Sequence, residues 1–243
     1  MLRNTFLHLP GVGEATERRW WRQGRTDWSA ALAAAPSRED QRRALEDSLA
    51  AHAAGNWSFF DQALSHVHKW RAWGDLKDRA AFVDIETDGR TEPDSITVIG
   101  AFDGHRVHHF VADENMQDAA DFLEQFPLLV SYNGALFDLP LLRERFTHRL
   151  QNHLQLDLRF PLYRLGYRGG LKHIEWQVGL ERSAETMGLG GWDAVRLWRE
   201  WQWGSTEARE VLLAYNAEDV RNLLPLAELV YKQMLAQTPI PQS

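Results

Sequence analysis

The sequence predicts an α/β fold in which a mixed sheet carries helices on its faces, with a smaller helical segment before it. The chain has 243 residues, of which 44% are hydrophobic and 25% charged. That composition suits one sizeable core with an appendage. Helical patterns dominate up to about residue 80, and strand-like runs then alternate with helical ones. Such alternation is typical of a sheet covered by helices.

The first strand is predicted at residues 80–86, an apolar run with β-branched side chains. Runs at 95–102 and 106–111 follow, and Asp103-Gly104 between them indicates a hairpin. The first three strands are therefore expected to be antiparallel. The later elements are predicted as follows: a helix at 116–126, a strand at 128–132, a helix at 139–150, a strand at 154–158, and a last helix at about 206–233.

Residues 1–78 are predicted to be a helical N-terminal segment, and residues 79–243 the sheet-containing domain. Within the segment, helices are expected at 28–35 and 38–54, the second opened by Ser37 as N-cap. Residues 9–13 (Leu-Pro-Gly-Val-Gly) resemble the turn of a helix-hairpin-helix DNA-binding module, whose backbone N–H groups face a phosphate. An ordinary turn before a helix is the alternative, and the favoured one.

Composition and charge exclude several classes of protein. The chain has no cysteine, which rules out disulfides, cysteine-based zinc sites and thiol catalysis. We see no secretory signal and no apolar run near the ~20 residues of a membrane span. A cytoplasmic protein without membrane contacts is expected. The net charge of −7 does not suit a protein that holds a long duplex by charge, although residues 141–182 are locally basic.

Asp84 and Glu86 form the first of three acidic motifs. Their spacing of two puts both side chains on the same face of the first strand. Two carboxylates on one buried face are costly unless a cation lies between them, so the pair indicates a metal site. Taken alone, the pair is more simply explained as acidic residues at a strand end.

Asp138 belongs to the second motif, SYNGALFDLPLL, at a strand-to-helix turn that also contains Asn133. Taken alone, Asp138 would be the N-cap of the following helix and Asn133 a turn residue. Tyr215 and Asp219 form the third motif, a turn apart on the last helix. Taken alone, they would be a half-buried core tyrosine and a solvated aspartate.

Together the motifs read D-x-E, N-x4-D and Y-x3-D, and over about residues 80–232 this order resembles the DEDD superfamily of 3′–5′ exonucleases in its tyrosine-bearing branch. The second motif also resembles the proofreading domains of family B DNA polymerases. The stand-alone length and the segments GGLKHIEWQVGL and AVRLWREW are more similar to the YprB-like ribonuclease-H-like branch. The resemblance implies a ribonuclease-H-like fold.

The same resemblance implies a role for each acidic residue and for the tyrosine. Asp84 would bridge two metal ions, and Glu86 and Asp219 would complete the first metal site. Asp138 would act on the second ion through water, and Tyr215 would orient the attacking water. All-oxygen ligands favour Mg²⁺ or Mn²⁺, and two such ions suit an in-line displacement at phosphorus.

Several further residues are candidates for binding the substrate. Arg164, Arg168 and Lys172, interleaved with aromatic side chains, would suit a single strand of DNA or RNA, with Asn133 helping at the turn. An exposed, partly helical face is an equally good explanation of the arginines and Lys172. Asp157 is better explained as a strand-end residue than as a ligand. The tryptophans at 192, 198, 201 and 203 are expected to pack a helix against the domain, and a stacking platform formed by an exposed one is the less favoured alternative.

The resulting prediction is a metal-dependent 3′–5′ exonuclease acting on single-stranded DNA or RNA ends. The polarity and the exonuclease mode come from the resemblance. A carboxylate cluster by itself fits a structure-selective endonuclease equally well. An inactive nucleic-acid-binding scaffold is the third alternative, and the four intact carboxylates disfavour it.

Overall fold

The computed structural model describes residues 1–147 and 149–240. Its sheet consists of five strands: β1 (Ala80–Thr87), β2 (Ile96–Phe102), β3 (Val107–Val111), β4 (Leu128–Ser131) and β5 (Leu154–Asp157). The strand order is β3-β2-β1-β4-β5. β1 pairs antiparallel with β2, and β2 with β3, whereas β4 runs parallel to both β1 and β5. The predicted mixed sheet, with its first three strands antiparallel, is confirmed.

Helices cover both faces of the sheet and form the N-terminal segment. The α-helices are α1 (Glu14–Arg22), α2 (Trp28–Ala33), α3 (Glu39–Ala53), α4 (Trp57–Ala63), α5 (Trp73–Leu76), α6 (Asp118–Leu123), α7 (Asp138–Arg145), α8 (Arg159–Arg164), α9 (Leu171–Val178), α10 (Gly191–Gln202) and α11 (Thr206–Ala236). Short 3-10 helices lie at Leu2–Asn4, His66–Ala72, Lys77–Arg79 and Pro93–Ser95.

Side chains alternate between two cores along β1. Ala81, Val83 and Ile85 pack with α6 and α7 on one face. Phe82 points to the other face, where it packs with residues of α11 and of the N-terminal segment. Because the side-chain period of a strand is two, Asp84 and Glu86 must lie on the α11 face with Phe82. The alternation thus directs both carboxylates towards the helix that carries Asp219.

The N-terminal segment packs against the sheet domain. Its aromatic side chains, among them Trp28 stacked on Phe60 at 5.3 Å between centroids, belong to the same core cluster as Leu128 of β4 and Val220 of α11. The helical character predicted for this part of the chain is confirmed. The division at residue 78 stays a prediction, because one core joins side chains from both sides of it.

Some predicted helix ends were wrong. α3 begins at Glu39 with Arg38 as N-cap, so Ser37 does not cap it. α7 ends at Arg145 rather than 150, because Phe146 leaves helical geometry and its side chain turns into the core beside α7. Residue 148, inside that predicted helix, lies outside the described residues, as do 241–243 of the predicted domain.

The prediction for the tryptophans of α10 was right only in part. Trp198 is buried against α11, and Trp201 packs on it edge-on at 4.9 Å between centroids. Trp192 and Trp203 are 82% and 86% exposed. Trp192 lies in the first turn of α10 and Trp203 just after its end, so neither faces the core.

Within the described part of the chain, we found no helix with the length and apolar character needed to cross a bilayer.

Candidate metal centre

Three of the predicted carboxylates converge above the middle of the sheet. Asp84, Glu86 and Asp219 each place an oxygen within 4.8 Å of the others. Glu86 and Asp219 are buried, and Asp84 is partly exposed. β1 supplies the first two side chains and α11 the third, and the two elements pack directly on each other. The structure thus brings together side chains from distant parts of the chain.

Mutual repulsion and burial raise the pKa values of this cluster. The pKa of Asp84 lies well above its usual value, because burial and the charges of Asp219 and Glu86 oppose ionisation. Burial, reinforced by Asp219, raises the pKa of Glu86 to about 8. Burial also raises the pKa of Asp219, although Lys172 and Arg182 oppose that shift. Such a cluster gains from a cation that neutralises it.

Asn216 bridges the two carboxylates of β1. Its fully buried side chain donates from Nδ2 to Asp84 Oδ2 at 3.1 Å and to Glu86 Oε1 at 3.5 Å. The space it occupies exists because residue 100, the β2 partner of Asp84, is glycine. A Cβ on Gly100 would lie 1.9 Å from Asn216 Oδ1. The sequence analysis did not identify Asn216 or Gly100.

Asp138 lies close to the cluster without belonging to its innermost set. Burial, together with the charges of Asp157 and Asp219, raises its pKa to about 7. Helix α7 begins at Asp138 itself, and the N-cap position falls on Phe137 with no side-chain cap. The simpler explanation of Asp138 as a helix cap therefore does not apply.

Asp157 holds the turn that carries the second motif. Its carboxylate accepts the backbone N–H groups of Asn133, Ala135 and Arg159 at 2.8–3.1 Å. Asn133 has a left-handed backbone (φ 64°), and its side-chain oxygen accepts from Arg159 at 2.7 Å. Both side chains thus make structural contacts within this turn.

Tyr215 lies beside the carboxylates and is held by Lys172. The Lys172 Nζ donates to Tyr215 Oη at 2.6 Å and lies 3.9 Å from Asp219 Oδ1. Burial and the charges of Asp219 and Glu86 raise the pKa of Tyr215 far above its ordinary value. Tyr215 therefore stays a neutral phenol, and its proton is free to be donated because its oxygen already accepts from Lys172.

Arg182 is a buried cation at the site that the sequence analysis missed. It donates from Nη2 to Asp219 Oδ1 and makes a two-bond pair with Glu175 of α9, at 2.7 Å for each bond. Asn222 of α11 also donates to Glu175, at 3.0 Å. These contacts fasten α9 and the following loop to the helix that carries Asp219 and fix one oxygen of its carboxylate.

The two arginines that were predicted to bind the substrate have partners elsewhere. Arg164 pairs with Glu14 of α1 at 2.5 Å. Arg168 donates to the backbone oxygens of Tyr163 and Tyr167 and lies 5.0 Å above the ring of Tyr163. Of the basic candidates, Lys172 is the one that contacts the acidic cluster.

The residues present fit a hard divalent cation. The donors are carboxylate oxygens, which Mg²⁺ and Mn²⁺ prefer. One oxygen from each of three carboxylates lies within 4.8 Å of the others, and the burial and mutual repulsion that raise their pKa values favour an added positive charge there. Asp84, Glu86 and Asp219 are therefore the residues that could hold an ion, with Asp138 next to them.

Comparison with known proteins supports the assignment of the fold. Residues 81–231 match the RNase H superfamily. The family B DNA polymerase of the hyperthermophilic archaeon Pyrobaculum calidifontis has a similar structure, with a TM-score of 0.53 and 18% identity. The similarity covers 65% of this chain and 25% of the polymerase chain. No curated protein matches the sequence. Since the family match spans more than half of its length, the chain belongs to the RNase H superfamily.

Proposed function

We propose that this protein is a metal-dependent nuclease that removes nucleotides from the 3′ ends of single-stranded DNA or RNA. The observation that carries the proposal is the meeting of Asp84, Glu86 and Asp219 within 4.8 Å, beside Tyr215. The order of the acidic motifs, which resembles the tyrosine-bearing DEDD exonucleases and their YprB-like relatives, supports the polarity and the exonuclease mode.

The chain would bind two divalent ions through its carboxylates. Asp84 would be shared by both ions, Glu86 and Asp219 would complete the first site, and Asp138 would reach the second through water. When bound, the ions supply stabilisation of the attacking and leaving oxygens of an in-line displacement. Mg²⁺ and Mn²⁺ are the ions that this donor set favours.

Tyr215 would position the attacking water. A phenol whose pKa is raised is a poor base at neutral pH, but its O–H is a good hydrogen-bond donor. Lys172 fixes the phenol oxygen at 2.6 Å and places a positive charge beside the site. That charge can also attract a phosphate of the substrate, which is the role predicted for Lys172 from the sequence.

The test is a cleavage assay on 5′-labelled single-stranded DNA and RNA with Mg²⁺, Mn²⁺ or EDTA. A metal-dependent ladder that shortens from the 3′ end is expected. Asp84→Asn should abolish it, whereas the matched control Asp94→Asn should not, because the Asp94 side chain is 69% exposed. Full activity of Asp84→Asn would refute the assignment of the site.

Circular single-stranded DNA separates the proposal from its nearest alternative. An exonuclease leaves a circle intact, whereas a structure-selective endonuclease opens it. Binding of single strands without cleavage, and with the same affinity in EDTA, would instead identify a scaffold. The intact acidic cluster favours an enzyme over that third function.

A further inference from the structure

Helix α9 directs Lys172 and Glu175 to the residues around the acidic cluster and leaves His173 and Trp176 exposed beside them. We propose that Trp176 and His173, on the exposed face, form a stacking platform for an unpaired base of the nucleic acid strand that enters the site. This inference rests on the proposed function and specifies which surface holds the substrate. The platform would act on bases of any sequence, because every base offers a flat face.

The two rings are arranged for stacking. Trp176 is 74% exposed, and its ring lies 5.7 Å from that of His173 at an interplanar angle of 22°. Gly169, with φ +112°, leaves room for the histidine, since a Cβ there would lie 2.7 Å from His173 Cδ2. The histidine is thus held between the turn and Trp176, and it supports the indole. An exposed tryptophan fixed in this way offers a large flat surface at little entropic cost.

The buried and polar side of α9 connects this platform to the acidic cluster. Lys172, one turn before Trp176, donates to Tyr215, and Glu175 holds Arg182 against Asp219. Side chains one turn apart on a helix have Cβ atoms about 5–6 Å apart. Successive stacked nucleotides rise about 3.4 Å. The platform therefore lies within a few nucleotides of the carboxylates.

The charge around the platform favours a polyanion over an apolar protein surface. Lys172 lies on the same helix, and the exposed Arg168 sits in the turn before it, where its backbone oxygen accepts from Gln177 of α9. Basic side chains beside an exposed ring suit a single strand, whose phosphates and bases they bind separately. Trp192 and Trp203 are as exposed, but they lie at the two ends of α10, whose basic residues Arg196 and Arg199 lie among acidic neighbours.

The test measures binding separately from cleavage. Affinities for a 5′-fluorescein-labelled 12-nucleotide single strand would be measured by anisotropy with Mg²⁺ in the Asp84→Asn background. Trp176→Ala is expected to weaken binding by about tenfold or more, the usual loss for one stacked base. Trp176→Phe should recover most of the affinity, and Trp203→Ala should change it less than twofold. In the otherwise native protein, Trp176→Ala should raise KM while kcat stays within about twofold.

An abasic nucleotide moved along the strand from its 3′ end identifies the stacked base. At one position, the abasic nucleotide should weaken binding by the protein that keeps Trp176. At the same position, it should not weaken binding by Trp176→Ala any further. If Trp176→Ala binds single strands as tightly as Trp203→Ala does, and the native protein cleaves them, the platform proposal is wrong and the nuclease proposal stands. A native protein that neither binds nor cleaves single strands would overturn both.

Discussion

Replacing Asp84 by asparagine should stabilise the metal-free protein. Asparagine keeps the shape of the side chain and an acceptor for Asn216, but it removes one charge from the cluster. Two unit charges 4.8 Å apart repel by about 3.5 kcal/mol at an effective dielectric constant of about 20. Asp219 and Glu86 both oppose the ionisation of Asp84, and Arg182 offsets part of the charge of Asp219. A gain of about 3 kcal/mol is expected.

Unfolding in EDTA at pH 8 measures this gain. For a chain of this size, about 3 kcal/mol corresponds to a rise of roughly 6–12 °C in Tm. Saturating Mg²⁺ should then stabilise the native protein, by about 2.7 kcal/mol at a hundred times Kd, and should have a much smaller effect on Asp84→Asn. The two proteins should therefore converge in stability when metal is present.

Asp157→Asn is the control for this experiment. Its carboxylate accepts three backbone N–H groups, which an amide cannot all replace, so the same substitution should destabilise the protein in EDTA although Asp138 lies near. If Asp84→Asn unfolds at or below the native Tm in EDTA while Asp157→Asn is destabilised, the three carboxylates do not repel one another as argued, and the electrostatic case for a metal site fails.

Three further predictions concern other groups around the site. Tyr215→Phe should lower kcat at least tenfold without changing the Kd for Mn²⁺ measured by calorimetry; weaker metal binding would give the hydroxyl a different role. Gly100→Ala should cost about 1–3 kcal/mol in urea unfolding and reduce activity, because its Cβ would displace Asn216, whereas Gly191→Ala has open space and should do neither. In EDTA, the contribution of Glu86 to stability should be greatest below its ordinary pKa of 4.5 and be lost as pH rises through its folded value of about 8. Glu86→Gln should flatten that decline in a series of Tm values, and an unchanged slope would contradict it.

The sheet could be predicted because its signals are local. The nearly continuous apolar sequence of β1 is typical of a strand that is buried on both faces. Asp103-Gly104 forms the turn between β2 and β3. In that turn Gly104 takes φ +91°, and the Asp103 side chain accepts from the backbone of His105 and Arg106. Patterns of this kind lie within a few residues of the structure they specify.

The basic and aromatic stretch shows where local signals fail. Arg164 and Arg168 have the spacing and neighbours of a nucleic-acid surface, but in the fold Glu14 pairs with the charge of Arg164, and backbone oxygens hold the guanidinium of Arg168 in place. A sequence shows that a charge exists and not whether another part of the chain satisfies it. Trp176, in contrast, stands out only once its exposure is known.

The contacts made by the acidic side chains indicate where a cation would enter. Asp219 already contacts Arg182 and lies near Lys172, whereas Asp84 and Glu86 receive only the neutral amide of Asn216 among the side chains of residues 1–147 and 149–240. Positive charge is thus supplied from the α9 side and is missing over β1. An amide donor offsets far less of the repulsion between two carboxylates than a full charge does. The position that gains most from an added cation is therefore beside Asp84 and Glu86, with Asp219 completing it from above.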